Sequence, residues 1–390
     1  MSAPHVLAEA LALACGAAAM FGIACTIIAT LLIGRFFRRP VSEPEGYPPV
    51  TLVIPLHGAE FGLLDNLVGF CKQEYPGSLQ FLFGVQNPDD PAIRIVEALR
   101  SLHPEATVTM IADTRLHGPN RKISNLLNML PHALHDVLVF VDSDVTVGPD
   151  FVRNIVGELQ KPDVGLVTCM YRGKPEPGIW TRLSAKATNY QFLPGVMLGL
   201  ASGLARPCFG QTIAMRRATL DRIGGLQPFV RHLAEDHAIG EAVRLLGEKV
   251  AIPPFTVAHA CVERSARQLI AHELRWSRTI RGIDRSGHLG SVLMYPLAFA
   301  LLALMLSGAA SWSMDLVLAA VGSRLALKVW SDHVFGQAQR DLWLLPVWDI
   351  VSFLIFIASF WSTRVTWRGF SFEVDQNGLL TAVQDEQVGE

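Results

Sequence analysis

Carboxylates in this 390-residue chain gather at the ends of short apolar runs. Asp142-Ser143-Asp144 closes the run VLVFV, so two carboxylates at i and i+2 leave a strand end together. Hard oxygen ligands placed there suit Mg2+ or Mn2+ bridging a nucleotide diphosphate, whose leaving charge the metal would neutralise. A turn or a helix cap is the competing reading of the same triplet. Asp89-Asp90 follows GVQN. An Asx turn opening a helix at Pro91 accounts for it, and so does a carboxylate holding the base or ribose of a nucleotide. Arg121 and Lys122 open a helix after a Gly-Pro turn, either as an anion site built from helix N–H groups and a cation, or as a solvated charge pair. Glu235 and Asp236 precede a helix with Ala238, Ile239, Ala242 and Val243 on its apolar side. They either favour the helix N-terminus or supply the one base that a single-displacement sugar transfer needs. In His272-Glu273-Leu274-Arg275-Trp276, a guanidinium can clamp a diphosphate and an indole can cover an apolar acceptor. Arg278, Arg281 and Arg285 read instead as snorkelling side chains at a membrane surface.

The elements that position these groups alternate. Apolar runs rich in β-branched or aromatic residues recur at 50–55, 79–85, 106–111, 137–141 and 164–170. Helical patterns lie between them at 62–72, 91–102 and 122–134. Alternation of this kind predicts an α/β domain with a mostly parallel, Rossmann-like sheet, binding its ligand beyond the carboxyl ends of the strands. The polar clusters at 86–90, at Asp113 and at 142–144 stand at those ends. No GxGxxG and no GxxxxGK[ST] occurs, which sets dinucleotide and P-loop chemistry aside. The stretch 190–208 reads as a loop that shapes the pocket.

Composition places part of the chain in lipid: 50% of residues are hydrophobic, only 17% are charged, and mean hydropathy is +0.32. Residues 11–34 are uncharged, long enough to cross a core of about 30 Å, and end in Arg35, Arg38 and Arg39. Charge after the apolar core predicts an uncleaved anchor with the following residues in the cytoplasm. Segments 289–310, 313–330 and 342–361 are further candidates. The second of these contains Asp315, Arg324 and Lys328, which must face protein or snorkel. Of the last two, one is expected to lie along or re-enter the interface. The domains read as 1–39, an anchor; 40–287, a cytoplasmic catalytic domain; 288–363, transmembrane or interfacial helices; and 364–390, a cytoplasmic tail. A formal net charge of −2 argues against nucleic-acid binding. Six scattered cysteines read as buried thiols. A transporter or channel is disfavoured by so long a soluble stretch, and a processive synthase by so few spans.

Taken together, TLVIPLHGAE, QEYP, GVQNPDDPA, NRKISNL, VFVDSD, GQTIAMRR with IGG, LAEDHAIG, HELRW and WRGF resemble the ceramide glucosyltransferase family of membrane glycosyltransferases, over nearly the whole chain. The resemblance implies a GT-A fold and inverting transfer from a UDP-sugar to a lipid hydroxyl. It implies donor-side roles for Asp89 or Asp90 and for Asp142; Lys122, read from its place at a helix start, is expected on the donor side with them. A divalent cation would sit at Asp142 and Asp144, Asp236 would act as base, and Arg275 with Trp276 would form the last motif. His272 stands where that motif has Gln or Arg. The stretch 190–217 is similar to the hopanoid-associated bacterial branch. That likeness implies transfer of N-acetylglucosamine to bacteriohopanetetrol at the bacterial inner membrane, with ceramide glucosylation from UDP-glucose as the alternative.

Overall fold

The computed structural model describes residues 3–338, 340–361, 364–367, 370–374 and 380–382. In chain order, helix α1 (Ala3–Phe37) precedes β1 (Val50–Pro55), α2 (Leu63–Cys71), β2 (Leu79–Val85), α3 (Ala92–Leu102), β3 (Thr107–Ala112) and α4 (Arg121–Met129). Then come β4 (Val137–Val141), β5 (Val145–Thr146), α5 (Phe151–Leu159), β6 (Val164–Thr168), β7 (Met170–Pro175), α6 (Ile179–Ala187) and α7 (Leu193–Ser202). Next are β8 (Thr212–Arg216), α8 (Arg217–Arg222), α9 (Glu235–Leu245), β9 (Lys249–Ala251) and β10 (Thr256–Cys261). Helices α10 (Ala266–Ile283), α11 (Arg285–Gly290), α12 (Pro296–Leu306), α13 (Ser311–Val334) and α14 (Leu344–Ala358) follow. Strands β11 (Arg364–Trp367), β12 (Phe370–Val374) and β13 (Leu380–Ala382) pair antiparallel. The expected tail, 364–390, and the WRGF motif lie partly outside the described residues.

Two compact units divide the chain. One comprises Met1–Arg39, Pro175–Arg206 and Cys261–Thr363, and the other Pro40–Lys174, Pro207–Ala260 and Arg364–Glu390. The expected boundary at 287 therefore does not coincide with a unit boundary: 175–206 and 261–287 group with the apolar helices.

The second unit is built on a seven-stranded sheet of order β3-β2-β1-β4-β8-β6-β9. Strand β4 is a continuous apolar run and β1 is apolar but for Thr51, and both are buried along almost their whole length, as central strands covered on both faces must be. Strand β3, at the edge, is only partly buried. Pairing is parallel from β3 to β4 and between β6 and β9, whereas β8 runs antiparallel to both its neighbours. The mostly parallel sheet is thus as expected, with a reversed strand inserted beside β4. Run 106–111 appears one residue later, and run 164–170 divides at Cys169 into β6 and β7. Val53, Leu82, Leu138, Leu166 and Met215 of the sheet pack with Ile123, Leu126 and Ile239 of α4 and α9 into one core, which fixes the starts of those two helices over the strand ends. Cys169, Cys208 and Cys261 are buried, while Cys15, Cys25 and Cys71 are only half-buried, contrary to expectation; none of the six is in a disulfide.

In the first unit, Pro4–Phe37 and Leu344–Trp361 are long and apolar enough to cross a membrane. Arg285–Met294 and Pro296–Leu306 pass that test only as a pair, bent by 61°. The expected span 289–310 is therefore broken, because Pro296 cannot continue the preceding hydrogen-bond ladder. The break falls before the two segments where the sequence reading looked for a re-entrant element. Stretch 190–208, read as a loop, is largely helical: a π-turn over Thr188–Phe192 runs into α7, which stops at Gly203 with φ 71°. Close helix contact requires small residues on α1, since a Cβ at Gly22 would lie 2.5 Å from the Leu293 carbonyl oxygen.

Segment 313–330 lies within α13, and Arg324 and Lys328 face protein. Arg324 makes a two-pronged ion pair with Asp349 on α14, Nε–Oδ2 2.8 Å and Nη2–Oδ1 2.7 Å. It also donates to the Tyr190 carbonyl at 2.7 Å and to Gln191 Oε1 at 3.1 Å. Lys328 pairs with Asp332 at 2.6 Å and donates to the Tyr190 hydroxyl, which itself bonds Asp332. Buried charge of this kind is tolerated because every prong is answered, and the π-turn is pinned as a result. Removing one partner strands the other, so Asp349→Ala should lower unfolding stability by about 3–5 kcal/mol. Arg324→Met with Asp349→Leu should lose less than the single change. Thermal unfolding in detergent checks both, and an unshifted midpoint for Asp349→Ala would contradict the account.

Candidate active site

Strand β4 delivers Asp142 at its end, and the turn into β5 delivers Asp144. That turn is clamped: Ser143 donates to Glu60 Oε2 at 2.8 Å, and the Ser143 carbonyl accepts from Asn66 Nδ2 at 3.0 Å. β5 then pairs with β10, Val145 opposite His259. Asp144 Oδ2 lies 3.2 Å from His259 Nε2.

Helix α4 starts where it does because Asn120 caps it, its Oδ1 accepting from the Ile123 N–H at 3.0 Å. The Asn120 amide nitrogen donates to the His232 carbonyl at 2.9 Å and to Glu235 Oε2 at 3.0 Å. One cap thereby ties the start of α4 to the start of α9. Lys122, two residues on, lies 2.7 Å from Asp142 Oδ1 and 3.5 Å from Glu235 Oε1, and donates to the Gly210 carbonyl at 3.1 Å. Asp236 sits beside them, its Oδ1 accepting from the His237 N–H at 2.7 Å. A Cβ at Gly210 would come within 3.1 Å of Asp236 Oδ2, so the absent side chain leaves room for the carboxylate against the backbone. The structure thus gathers Lys122, Asp142, Glu235 and Asp236, with Asp144 attached through the turn.

Burial pushes the carboxyls of Asp142, Glu235 and Asp236 above the ordinary range, and their mutual repulsion adds to this; Lys122 offsets only part of it. Burial by itself would pull Lys122 down, but the facing Asp142 and Glu235 outweigh it and raise the ammonium instead. Asp144 goes the other way. Burial would raise it, yet the contact with His259 holds it below the usual value. One carboxylate of the i, i+2 pair is thus held ionised while its neighbour is held back, the usual outcome for like charges sharing a site.

Asp89 and Asp90 separate. Asp89 is exposed, its N–H donating to Asn87 Oδ1 at 3.0 Å in a local turn. Asp90 is 5% exposed and accepts from the Gly58 N–H through both oxygens, 2.9 and 3.0 Å, and from the Ala92 N–H at 2.9 Å. Its carboxylate brackets the loop after β1 to the start of α3. Pro91 is the residue before the helix and not its first member.

His272, Arg275 and Trp276 lie on α10, in the unit with the apolar helices. Within that unit the His272 ring is 5.7 Å from that of Trp276, which stands edge-on to Phe192 at 5.9 Å. His272 Nδ1 pairs with Glu263, a carboxylate the sequence reading passed over. Burial would raise Glu263, and His272 overrides it to bring it down; burial and the Glu263 charge push Glu273 up to about 8. Arg281 lies over the Phe360 ring at 5.6 Å. His259 lies in a short strand with no turn signal and meets Asp144 through pairing with a distant segment, whereas Glu263 stands just past that strand, nine positions before its partner His272.

A divalent cation fits the carboxylate pair. Asp144 Oδ1 is buried and has no hydrogen-bond partner, the state expected of an oxygen reserved for an ion. Among the described residues no three His, Cys, Asp or Glu side chains form a metal-holding group.

A mostly parallel sheet with acidic strand ends and a reversed strand beside β4 is the architecture of GT-A glycosyltransferases. The mannosyltransferase PcManGT from Pyrobaculum calidifontis, solved with GDP-Man and Mn2+, superposes with a TM-score of 0.52 at 19% identity, over 91% of this chain and 99% of that one. Ceramide glucosyltransferase 1 of Caenorhabditis elegans is 25% identical over 239 residues, 60% of this chain and 49% of its own. The Candida albicans ceramide glucosyltransferase is 31% identical over 125 residues, 29% of this chain and 23% of its own. The chain spans about half the length of the Caenorhabditis elegans relative. The profile of Glycosyl transferase family 21 matches residues 15–380, and the chain belongs to that family.

The raised carboxyls carry a linkage consequence. Each binds its proton more tightly folded than unfolded, so stability gained on protonation is complete below the unfolded value and is lost as pH rises through the raised folded value. Lys122→Met removes the offsetting charge and should lower the unfolding midpoint more at pH 7.5 than at pH 5. A deficit of equal size at both pH values would contradict the shared-charge description.

Proposed function

We propose that this protein is an inverting lipid glycosyltransferase that moves a sugar from a UDP-sugar to a lipid hydroxyl. The observation that carries the reading is the position of Asp236 within a half-buried group of carboxylates whose charge one lysine offsets only in part. Its raised pKa brings it toward the pH at which a carboxylate base is useful. Asp236 takes the proton of the acceptor hydroxyl as the oxygen attacks the anomeric carbon from the face opposite UDP. Asp142 and Asp144 would hold the divalent cation, which when bound neutralises charge developing on the diphosphate. Lys122 holds Asp142 and Glu235 in place and balances their charge. Asp90 serves the donor side by fixing the loop at Gly58, with Asp89 exposed beside it. His272, Arg275 and Trp276 enter the reading through their motif, as groups for the diphosphate and the apolar acceptor.

Within this class we take the donor to be UDP-N-acetylglucosamine and the acceptor bacteriohopanetetrol, supported by the likeness of stretch 190–217 to the hopanoid-associated branch. The chain is then a multi-pass protein of the bacterial inner membrane, with the 40–287 domain in the cytoplasm; the apolar helices α1 and α14 support a membrane location. Ceramide glucosylation from UDP-glucose is the second reading, favoured by the names of the relatives.

Purified protein in detergent, given each donor with each acceptor and Mn2+, should release UDP and form a glycolipid by mass spectrometry. Asp236→Asn should lower kcat by about 100- to 10,000-fold while UDP binding is retained. The acid limb of wild-type kcat/KM should lie above the ordinary aspartate value of 3.8. Undiminished turnover of the variant would remove Asp236 as base.

A further inference from the structure

Near the π-turn of the apolar unit, the cations Arg182, Lys186, Arg324 and Lys328 meet the carboxylates Asp332, Asp341 and Asp349, and each carboxylate is already engaged. Arg324 holds both oxygens of Asp349. Lys328 and the Tyr190 hydroxyl hold those of Asp332, and Arg182 Nη1 lies 3.1 Å from both oxygens of Asp341. Lys186 is left over. It is 5% exposed, and among the described residues its ammonium has no hydrogen bond and no ion pair. What it meets is the Tyr190 ring, 5.9 Å from the centroid, while Lys328 lies 4.8 Å from the same centroid. Burial first and the Lys328 charge second bring Lys186 down to about 8, so that it remains charged at neutral pH. A buried charge left unanswered is costly, and an anion from outside the chain would answer it.

Arg182 precedes Lys186 by one turn of α6, so the two side chains share a face. Its Nε donates to the Gly178 carbonyl at 3.0 Å and its Nη1 to Asp341, which leaves Nη2 uncommitted among the described residues. With 42% of its side chain exposed, Arg182 is the outer end of the pair and Lys186 the buried end. An ammonium and a guanidinium nitrogen one turn apart suit a phosphate, whose oxygens accept from both. Depth in the membrane selects which phosphate. Asp332 lies in the last turn of α13, and the end of that helix meets the end of α1: Phe335 stands edge-on to Phe37 at 5.0 Å, and Arg38 lies over Trp330 at 5.5 Å. Helix α1 finishes among Arg35, Arg38 and Arg39, and Trp343, just before α14, is 64% exposed. Basic residues and exposed tryptophan at the ends of apolar helices mark the head-group layer. We propose that Arg182 and Lys186 form a binding site for the phosphate of an anionic phospholipid, with Lys186 Nζ and Arg182 Nη2 as its donors. The proposal rests on the membrane placement of α1 and α14, and not on which sugar or acceptor the active site takes.

The test uses the full chain in a neutral detergent, stripped of lipid, with phosphatidylglycerol titrated in and bound lipid counted by native mass spectrometry. Wild type should bind phosphatidylglycerol, and should bind diacylglycerol, which has the same tails and no phosphate, about 10-fold more weakly or worse. Lys186→Met should weaken phosphatidylglycerol binding by about 10- to 100-fold, the loss expected for one charge-assisted hydrogen bond. Without lipid, the variant should unfold at a midpoint no lower than wild type, because the charge it removes has no partner in the chain. Phosphatidylglycerol should then raise the wild-type midpoint more than that of the variant. Equal binding of the two lipids by wild type, or equal phosphatidylglycerol binding by wild type and Lys186→Met, overturns the proposal. So does a lower lipid-free midpoint for the variant, which would mean that the fold itself already answers Lys186. Inorganic phosphate is the control for the source: if it displaces phosphatidylglycerol from wild type and raises the midpoint as far, the ligand is free phosphate and the lipid assignment falls. Should Lys186→Met not fold, Lys186→Gln and the two-lipid comparison on wild type decide the matter.

Discussion

One ammonium group organises the catalytic end of the sheet. Lys122 contacts Asp142 from β4, Glu235 from the start of α9 and the Gly210 carbonyl just before β8. Three segments far apart in sequence are held by a charge that none of them supplies. Bringing Asp142, Glu235 and Asp236 together in a half-buried place without that cation would set like charges side by side where water screens them only in part. The rest of the end of the sheet follows from this constraint. Asn120 must cap α4 and reach Glu235 at once, so the two helix starts are locked in register. Gly210 must lack a side chain, because the Asp236 carboxylate fills the space where one would be.

The charge arrangement also separates two kinds of carboxylate. Asp144, relieved by an imidazole, stays ionised and suits a cation; Asp236, short of relief, holds its proton more readily and suits proton transfer. In the proposed chemistry the same half-buried setting therefore provides a metal ligand and a base without any change of residue type. The unit of apolar helices meets the opposite problem. It buries Arg324 and Lys328 outright, and answers each with an aspartate and with groups of the π-turn at Tyr190 and Gln191.

Much of this was legible from the residues because central parallel strands must be apolar on both faces. The runs 50–55, 79–85 and 137–141 announce themselves, and the carboxylates at their ends follow. Strand β8 was not legible: five residues, TIAMR, carry no turn signal, and their direction is set by pairing with β4 and β6. In the π-turn and α7, Pro194 and the glycines weigh against helix locally, whereas burial of Tyr190, Leu193 and Met197 favours it. Asp90 looked equally like a turn residue and a nucleotide ligand. The structure shows it bonded to two backbone N–H groups, a role that depends on Gly58, 32 positions away. Lys122 was legible as a cation near an anion, though the anions it meets are the chain's own.

The central claim is a single displacement at the anomeric carbon with Asp236 as the base. It is tested most directly by the configuration of the product, read from the anomeric proton coupling of the purified glycolipid by NMR. An α-linked UDP-sugar should give a β-glycoside with a large diaxial coupling. An α-glycoside would require a second displacement or a front-face route, and would contradict the account.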